Sequence, residues 1–167
     1  MEPEPGRADF SLEGRLCWDD VAARIRENTY ESLRRLGRSA ERAKMYKAGK
    51  QELLEEFVSI VDAIKINKLG FSYTFTDGGK KIAADAQPSD SQVIAFAEND
   101  FPYSLEDGIE HHVLWSTDSM SDQQILEAIA QHRDGWEAIW FRNPDGLSSV
   151  PGVWHVHVIS RRLSKPL

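Results

Sequence analysis

Up to Gly70 the apolar residues of this chain recur at helical spacing; beyond it they alternate. That change of period constrains the fold more than any single motif. A helix buries every third or fourth side chain, a strand every second. In the first part, CWDDVAARIREN places Trp18, Val21 and Ile25 on one helical face, with Asp19 and Asp20 near the positive end of the helix. Leu33 and Leu36 then lead to Gly37, a stop signal. Ser39 is placed to cap a longer helix over about 40–66. Its positions Tyr46, Leu53, Leu54, Phe57, Ile60, Val61 and Ile64 are expected to form a buried face, with Gly49 as the point of division.

In the second part, FSYTF, TDGG and KKIAA read as two paired strands about a turn. QVIAFAE, IEHHVLWS, WEAIWFR and VWHVHVIS read as the main strands, and SDQQILEAIAQH, between the second and third of these, carries a Ser-x-x-Gln capping box. Helices first, then strands with one inserted helix, predict an α+β fold in which N-terminal helices pack on a mainly antiparallel sheet. The 167 residues suit a loose tail over 1–11 followed by one catalytic domain over 12–167.

Composition narrows the setting. The single cysteine, Cys17, excludes an intramolecular disulfide and a multi-cysteine metal cluster. No apolar run approaches the ~20 residues that span a bilayer, and the acidic start MEPEPGRADF is unlike a secretory signal. A cytoplasmic protein without a membrane partner is expected. The formal charge of −7 argues against general nucleic-acid binding, and no DNA partner is expected. The charge is uneven, however. Residues 21–50 carry nine Lys/Arg, namely Arg24, Arg26, Arg34, Arg35, Arg38, Arg42, Lys44, Lys47 and Lys50, against three carboxylates. Such a patch on an acidic body can hold a polyanion locally; a solvated helix face has the same composition.

The residues able to carry chemistry fall in two runs. DFPYSLEDGIEHHVLWS crowds Asp100, Tyr103, Glu106, Asp107, Glu110, His111, His112 and Trp115 into a loop and the strand that follows. Clustered carboxylates disfavour one another's ionisation, which suits a general base, and they also accept a guanidinium or ammonium. In the second run His155 and His157 lie two apart on a strand and so share a face. Of His111 and His112, one alone shares a face with Ile109 and Val113. His155, His157 and one of His111 or Glu110 have the donor chemistry for zinc or iron, whereas a histidine pair on a strand also serves as a hydrogen-bonded part of a sheet. No metal or cofactor is expected. GGKK lacks the other residues of a phosphate-binding loop, and neither G-x-G-x-x-G nor G-x-S-x-G occurs. An enzyme built here needs an already activated substrate or simple hydrolysis.

WDD, RLGRSAERAKMY, ENDFPYSLEDGIEHHVLWS and WFRNPDGLSSVPGVWHVHV, in this order, resemble the fungal N-acetylglucosamine-induced protein family across about Trp18 to Arg161. One branch that looks similar contains the arginine-containing cyclodipeptide synthases, which join two aminoacyl groups from charged tRNAs into a diketopiperazine. Their Asp-Asp-x-x-Glu motif matches Glu106-Asp107-Gly108-Ile109-Glu110, with Glu in place of the first Asp. The resemblance implies arginyl-tRNA and a second aminoacyl-tRNA as partners, without a cofactor. It implies Glu106, Asp107 and Glu110 as catalytic, joined by His111, His155 and His157, and Asp100, Tyr103, Trp115 and Asn143 as substrate-binding residues. Arg34, Arg35, Arg38, Arg42, Lys44, Lys47 and Lys50 would follow tRNA phosphates. No serine is placed like the acyl-enzyme serine of other cyclodipeptide synthases, so covalent catalysis stays open. A second likeness concerns the C-terminal half, where HVHVIS after NPDGLSSVP resembles the nucleotide-binding histidine-triad pattern. His157 takes the nucleophile's place there, and Ile159 stands where the third histidine belongs. A nucleotidyl transferase or hydrolase, and a non-catalytic sugar-response binding protein, are the alternatives.

Overall fold

Both serines expected to cap helices do so in the computed structural model, which describes residues 14–164. The tail expected over 1–11 lies outside the described residues. Helix α1 (Trp18–Glu27) buries Trp18, Val21, Ala22 and Ile25 and ends at Asn28, whose φ of 50° turns the chain. The short α2 (Tyr30–Arg34) starts at Thr29, which exchanges a capping box with Ser32 and buries Leu33. Leu36 is buried just beyond it.

The long helix expected over 40–66 is two helices, α3 (Ala40–Glu56) and α4 (Ile60–Asn67). The break falls at Phe57 rather than Gly49. Phe57 leaves the helix to bridge Lys81, and its ring is 2% exposed. Gly49 serves a close approach instead: a Cβ there would lie 2.7 Å from the Phe101 ring. The expected buried face is corrected as well. None of the residues of α3 is buried, and Leu54 is exposed. Only α4, through Ile60, Val61, Ala63 and Ile64, faces the core.

The hairpin of β1 (Tyr73–Phe75) and β2 (Lys81–Ala83) forms where TDGG predicts it. Strands β3 (Ile94–Glu98) and β4 (Ile109–Ser116), helix α5 (Asp122–His132), and strands β5 (Trp136–Phe141) and β6 (Trp154–Arg162) follow. The larger sheet has the order β3-β4-β6-β5 and is antiparallel throughout, so the fold is α+β. The expected partners β4 and β6 are the two inner strands, with Val113 opposite His157 and Trp115 opposite His155.

Alternation then assigns two faces. Val113 and Trp115 pack with Leu69, Phe71 and the apolar side of α4, while Ile159 and Phe141 pack with α1 and Leu33. On the opposite face Leu114, Val156 and Val158 pack with Ile125 and Ile129 of α5. No helix among the described residues is long and apolar enough to cross a membrane.

Candidate functional site

The acidic loop is held by backbone before it carries any chemistry. Leu16 donates to the Ser104 carbonyl at 2.9 Å, and Glu106 donates back to Leu16 at 3.0 Å. Gly108, at φ 85°, makes the turn that a side chain would strain, and Ile109 then enters β4. The loop walls a cavity of about 590 Å³ lined by Glu98, Glu106, Asp107 and Glu110, with Arg15, Arg42 and both adjacent histidines also on its wall. Asp107 takes the Arg15 guanidinium at 2.6 Å, and both side chains are exposed. Glu106 is exposed too.

Glu110 is engaged differently. It pairs with Arg133, at the C-terminal end of α5, whose guanidinium also lies 2.8 Å from the ring nitrogens of His112. Burial, with Arg133 beside it, lowers the pKa of His112; Glu110 and Glu98 oppose that shift more weakly. His112 stacks on Phe96, which stacks in turn on His132. Donor atoms of Glu98, Glu110 and His112 lie within 4.8 Å of one another, a spacing that suits a metal ion. The Arg133 guanidinium already supplies a positive charge to two of the three, so any ion would compete with it.

His111, one residue on, points to the other face. The grouping of His155 and His157 with Glu110 considered from the sequence is therefore not formed, because Glu110 and His112 share the α5 side of β4. The backbone N–H of Tyr103 donates to Nδ1 of His111 at 3.1 Å. An amide can only donate, so Nδ1 accepts and the proton of His111 resides on Nε2. Nε2 lies 2.8 Å from Nδ1 of His157 and donates to it. Nε2 of His157 lies 3.1 Å from the side-chain amide nitrogen of Asn143, and Nε2 of His111 lies 3.4 Å from that of Asn99. The result is a continuous series of polar contacts, Tyr103 to His111 to His157 to Asn143. His157 is stacked on Phe141 at 5.0 Å, with Tyr103 at 5.7 Å.

His155 stands apart from that line. Its Nδ1 donates to the carbonyl of Val153 at 2.8 Å, which leaves the lone pair on Nε2. Its ring is 4.6 Å from Trp115 and lines a second cavity of about 540 Å³ with Arg142, Asn143, Asp145 and Ser148. Burial lowers the pKa of His155; the Val153 carbonyl opposes the shift and Arg142 adds to it.

The substrate-binding residues expected from the sequence are thus divided. Tyr103 is on the wall of the acidic cavity and Asn143 on that of the second; Trp115 is buried against His155, and Asp100 is exposed 3.5 Å from Lys68. Of the basic set, Arg42, Lys44 and Lys47 are exposed on α3, and Lys50 lies 5.3 Å from the Tyr46 ring. Arg34 pairs with Glu31, and Arg35 is exposed with its carbonyl taken by Arg24. Arg38 is a clamp: Nε donates to the Phe101 carbonyl at 2.6 Å while the guanidinium lies over Tyr46. Tyr46 meets Phe101 edge-on. Sequence reasoning missed Arg133, Arg15 and Asn99, because nothing in their local spacing marks them. Arg133 is 23 residues from the carboxylate it holds.

The profile of the family described as "Protein of unknown function (DUF3605)" matches residues 17–135. The Saccharomyces cerevisiae protein "Uncharacterized protein YPL067C" is 30% identical over 112 residues, which are 56% of this chain and 56% of that one. The chain thus spans little more than half the length of that relative. A solved structure, "Crystal Structure of HTC1", superposes with a TM-score of 0.56 at 23% identity, covering 89% of this chain and 85% of the other, a likeness of fold. With its profile matched from Cys17 to Gly135, the chain belongs to the DUF3605 family.

Proposed function

We propose that this protein is a tRNA-dependent aminoacyltransferase that joins arginine and a second amino acid into a diketopiperazine. The observation that supports the reading is the meeting of an acidic cavity with the first part of α3, where Arg42, Lys44, Lys47 and Lys50 stand against Glu41 before the helix ends in Glu52, Glu55 and Glu56. Ser39 and Arg42, at the start of α3, line the same cavity as Glu106 and Asp107. α3 is held against Phe101 by Tyr46 and Gly49, and leaves Arg42, Lys44 and Lys47 exposed. Its cations suit tRNA phosphates, and the carboxylates beneath suit a guanidinium. Glu110 already holds one guanidinium, that of Arg133.

In the reaction, the α-amine of one aminoacyl group attacks the ester carbonyl of the other. The C–O bond breaks, and the 3′ hydroxyl of that tRNA leaves with a proton. A second attack by the remaining α-amine closes the ring and releases the second tRNA. In this reading Glu106, and Asp107 once released from Arg15, take the ammonium proton. His111 supports the loop rather than acting as base, since its Nδ1 is occupied by the Tyr103 N–H. The histidine-triad alternative needs a lone pair on Nε2 of His157, the atom that the Asn143 amide nitrogen faces at 3.1 Å.

The test is mass spectrometry of extracts from a host expressing the protein, with Asp107→Asn and Glu106→Asp beside it. An arginine diketopiperazine that falls by about 10²-fold or more with Asp107→Asn, and persists with Glu106→Asp, is the expected result. Absence of product, or full product from Asp107→Asn, overturns the reading. Nucleotide turnover by the purified protein would favour the histidine-triad alternative.

A further inference from the structure

We propose that the second cavity, between the 142–153 connection and the start of β6, is a separate ligand site for a phosphate monoester. In it His155 Nε2 accepts the phosphate O–H and Arg142 holds the charge. This is independent of the aminoacyl reading, whose carboxylates line the other cavity.

Three observations carry it. First, His155 is the imidazole whose lone pair is directed by its tautomer: Nδ1–H is committed to the Val153 carbonyl, and no described residue hydrogen-bonds Nε2. Second, the other polar side chains on the wall include Arg142 and Ser148, which donate. A phosphate monoanion presents several acceptor oxygens and one O–H, so donors beside a single acceptor nitrogen match it. The one carboxylate on the wall, Asp145, is exposed and screened by water. Third, the wall is fixed in advance. A Cβ at Gly152 would lie 2.7 Å from Val61 of α4, Val150 and Val153 belong to the core, and Trp115 backs the imidazole. Burial keeps His155 unprotonated at neutral pH, the form that accepts.

The experiment is a titration of the full chain, histidine ring nitrogens labelled, with inorganic phosphate and in parallel with sulfate. Sulfate has matching charge but no proton near neutral pH. The free protein should show His155 protonated on Nδ1 alone. Phosphate should shift its Nε2 resonance saturably, sulfate at least tenfold more weakly, and Arg142→Gln, an exposed position, should weaken the phosphate response tenfold or more. No saturable shift, equal responses to the two anions, or an Arg142→Gln chain that responds like the native one each overturns the proposal. Loss of diketopiperazine formation would leave the phosphate response unchanged, so the two proposals fail separately.

Discussion

His111 satisfies two buried neighbours at once, accepting from Tyr103 and donating to His157. Replacing it with leucine keeps the volume roughly but leaves a backbone N–H and an imidazole nitrogen unmatched, at about 1–3 kcal/mol for each. A urea unfolding series on His111→Leu should therefore show a clear loss. A change within the ~0.5 kcal/mol of a surface substitution would mean the line relaxes around the gap. His155 adds a pH dependence. Its folded pKa lies below the ordinary 6.5, to which the unfolded chain returns, so unfolded molecules bind more protons in the interval between the two values. Stability contributed by the neutral ring is complete above about 6.5 and is lost as pH falls through the folded pKa. Melting temperature should drop on acidification from about pH 7.5 to 5.5. His155→Gln should flatten that slope without abolishing it, because His112 is lowered in the same direction.

At the scale of elements, α3 carries opposing demands. Glycine within a helix costs about 0.5–1 kcal/mol relative to alanine, yet Gly49→Ala would press a methyl group against the Phe101 ring at 2.7 Å. The substitution is expected to destabilise the native chain and to stabilise a Phe101→Ala chain, a sign change that a double-mutant cycle in thermal melts would read. The exposed cations of the same helix are tested together. Replacing Arg42, Lys44 and Lys47 by Gln should weaken tRNA binding and lower the salt slope by up to about three, one for each phosphate no longer neutralised. Unchanged affinity and slope would make the helix face a solvated surface.

Elements were legible where a local rule decides them. The Ser121–Gln124 capping box, the TDGG hairpin and the alternation of β4 and β6 can all be read within ten residues. The break after Glu56 was not legible, because Phe57 leaves its helix for a bridge to Lys81, 24 positions away. Part of the site was legible too. Alternation separates His111 from Glu110 and His112, and the pairing of β4 with β6 follows from two apolar, alternating runs. The Arg133–Glu110 pair and the Val153 carbonyl under His155 depend on how α5 and the 142–153 connection return to the sheet. No periodicity encodes that return.

Across the whole molecule, the sheet divides its histidines between two faces. His112, with Glu110 and Arg133, lies towards α5; the hydrogen-bonded rings of His111 and His157 lie towards the N-terminal helices. Backbone position then sets how long each survives local opening. β4 and β6 have a strand on both sides, whereas no residue of α3 is fully buried and the β1–β2 hairpin stands outside the larger sheet. Amide hydrogens of 111–115 and 155–159 should be the last to exchange with deuterium, at rates tied to global unfolding, and those of α3 among the first. Limited proteolysis should accordingly nick α3 early. Because the imidazoles ride on the slowest-exchanging strands, a molecule cut there would keep His111 and His157 in line.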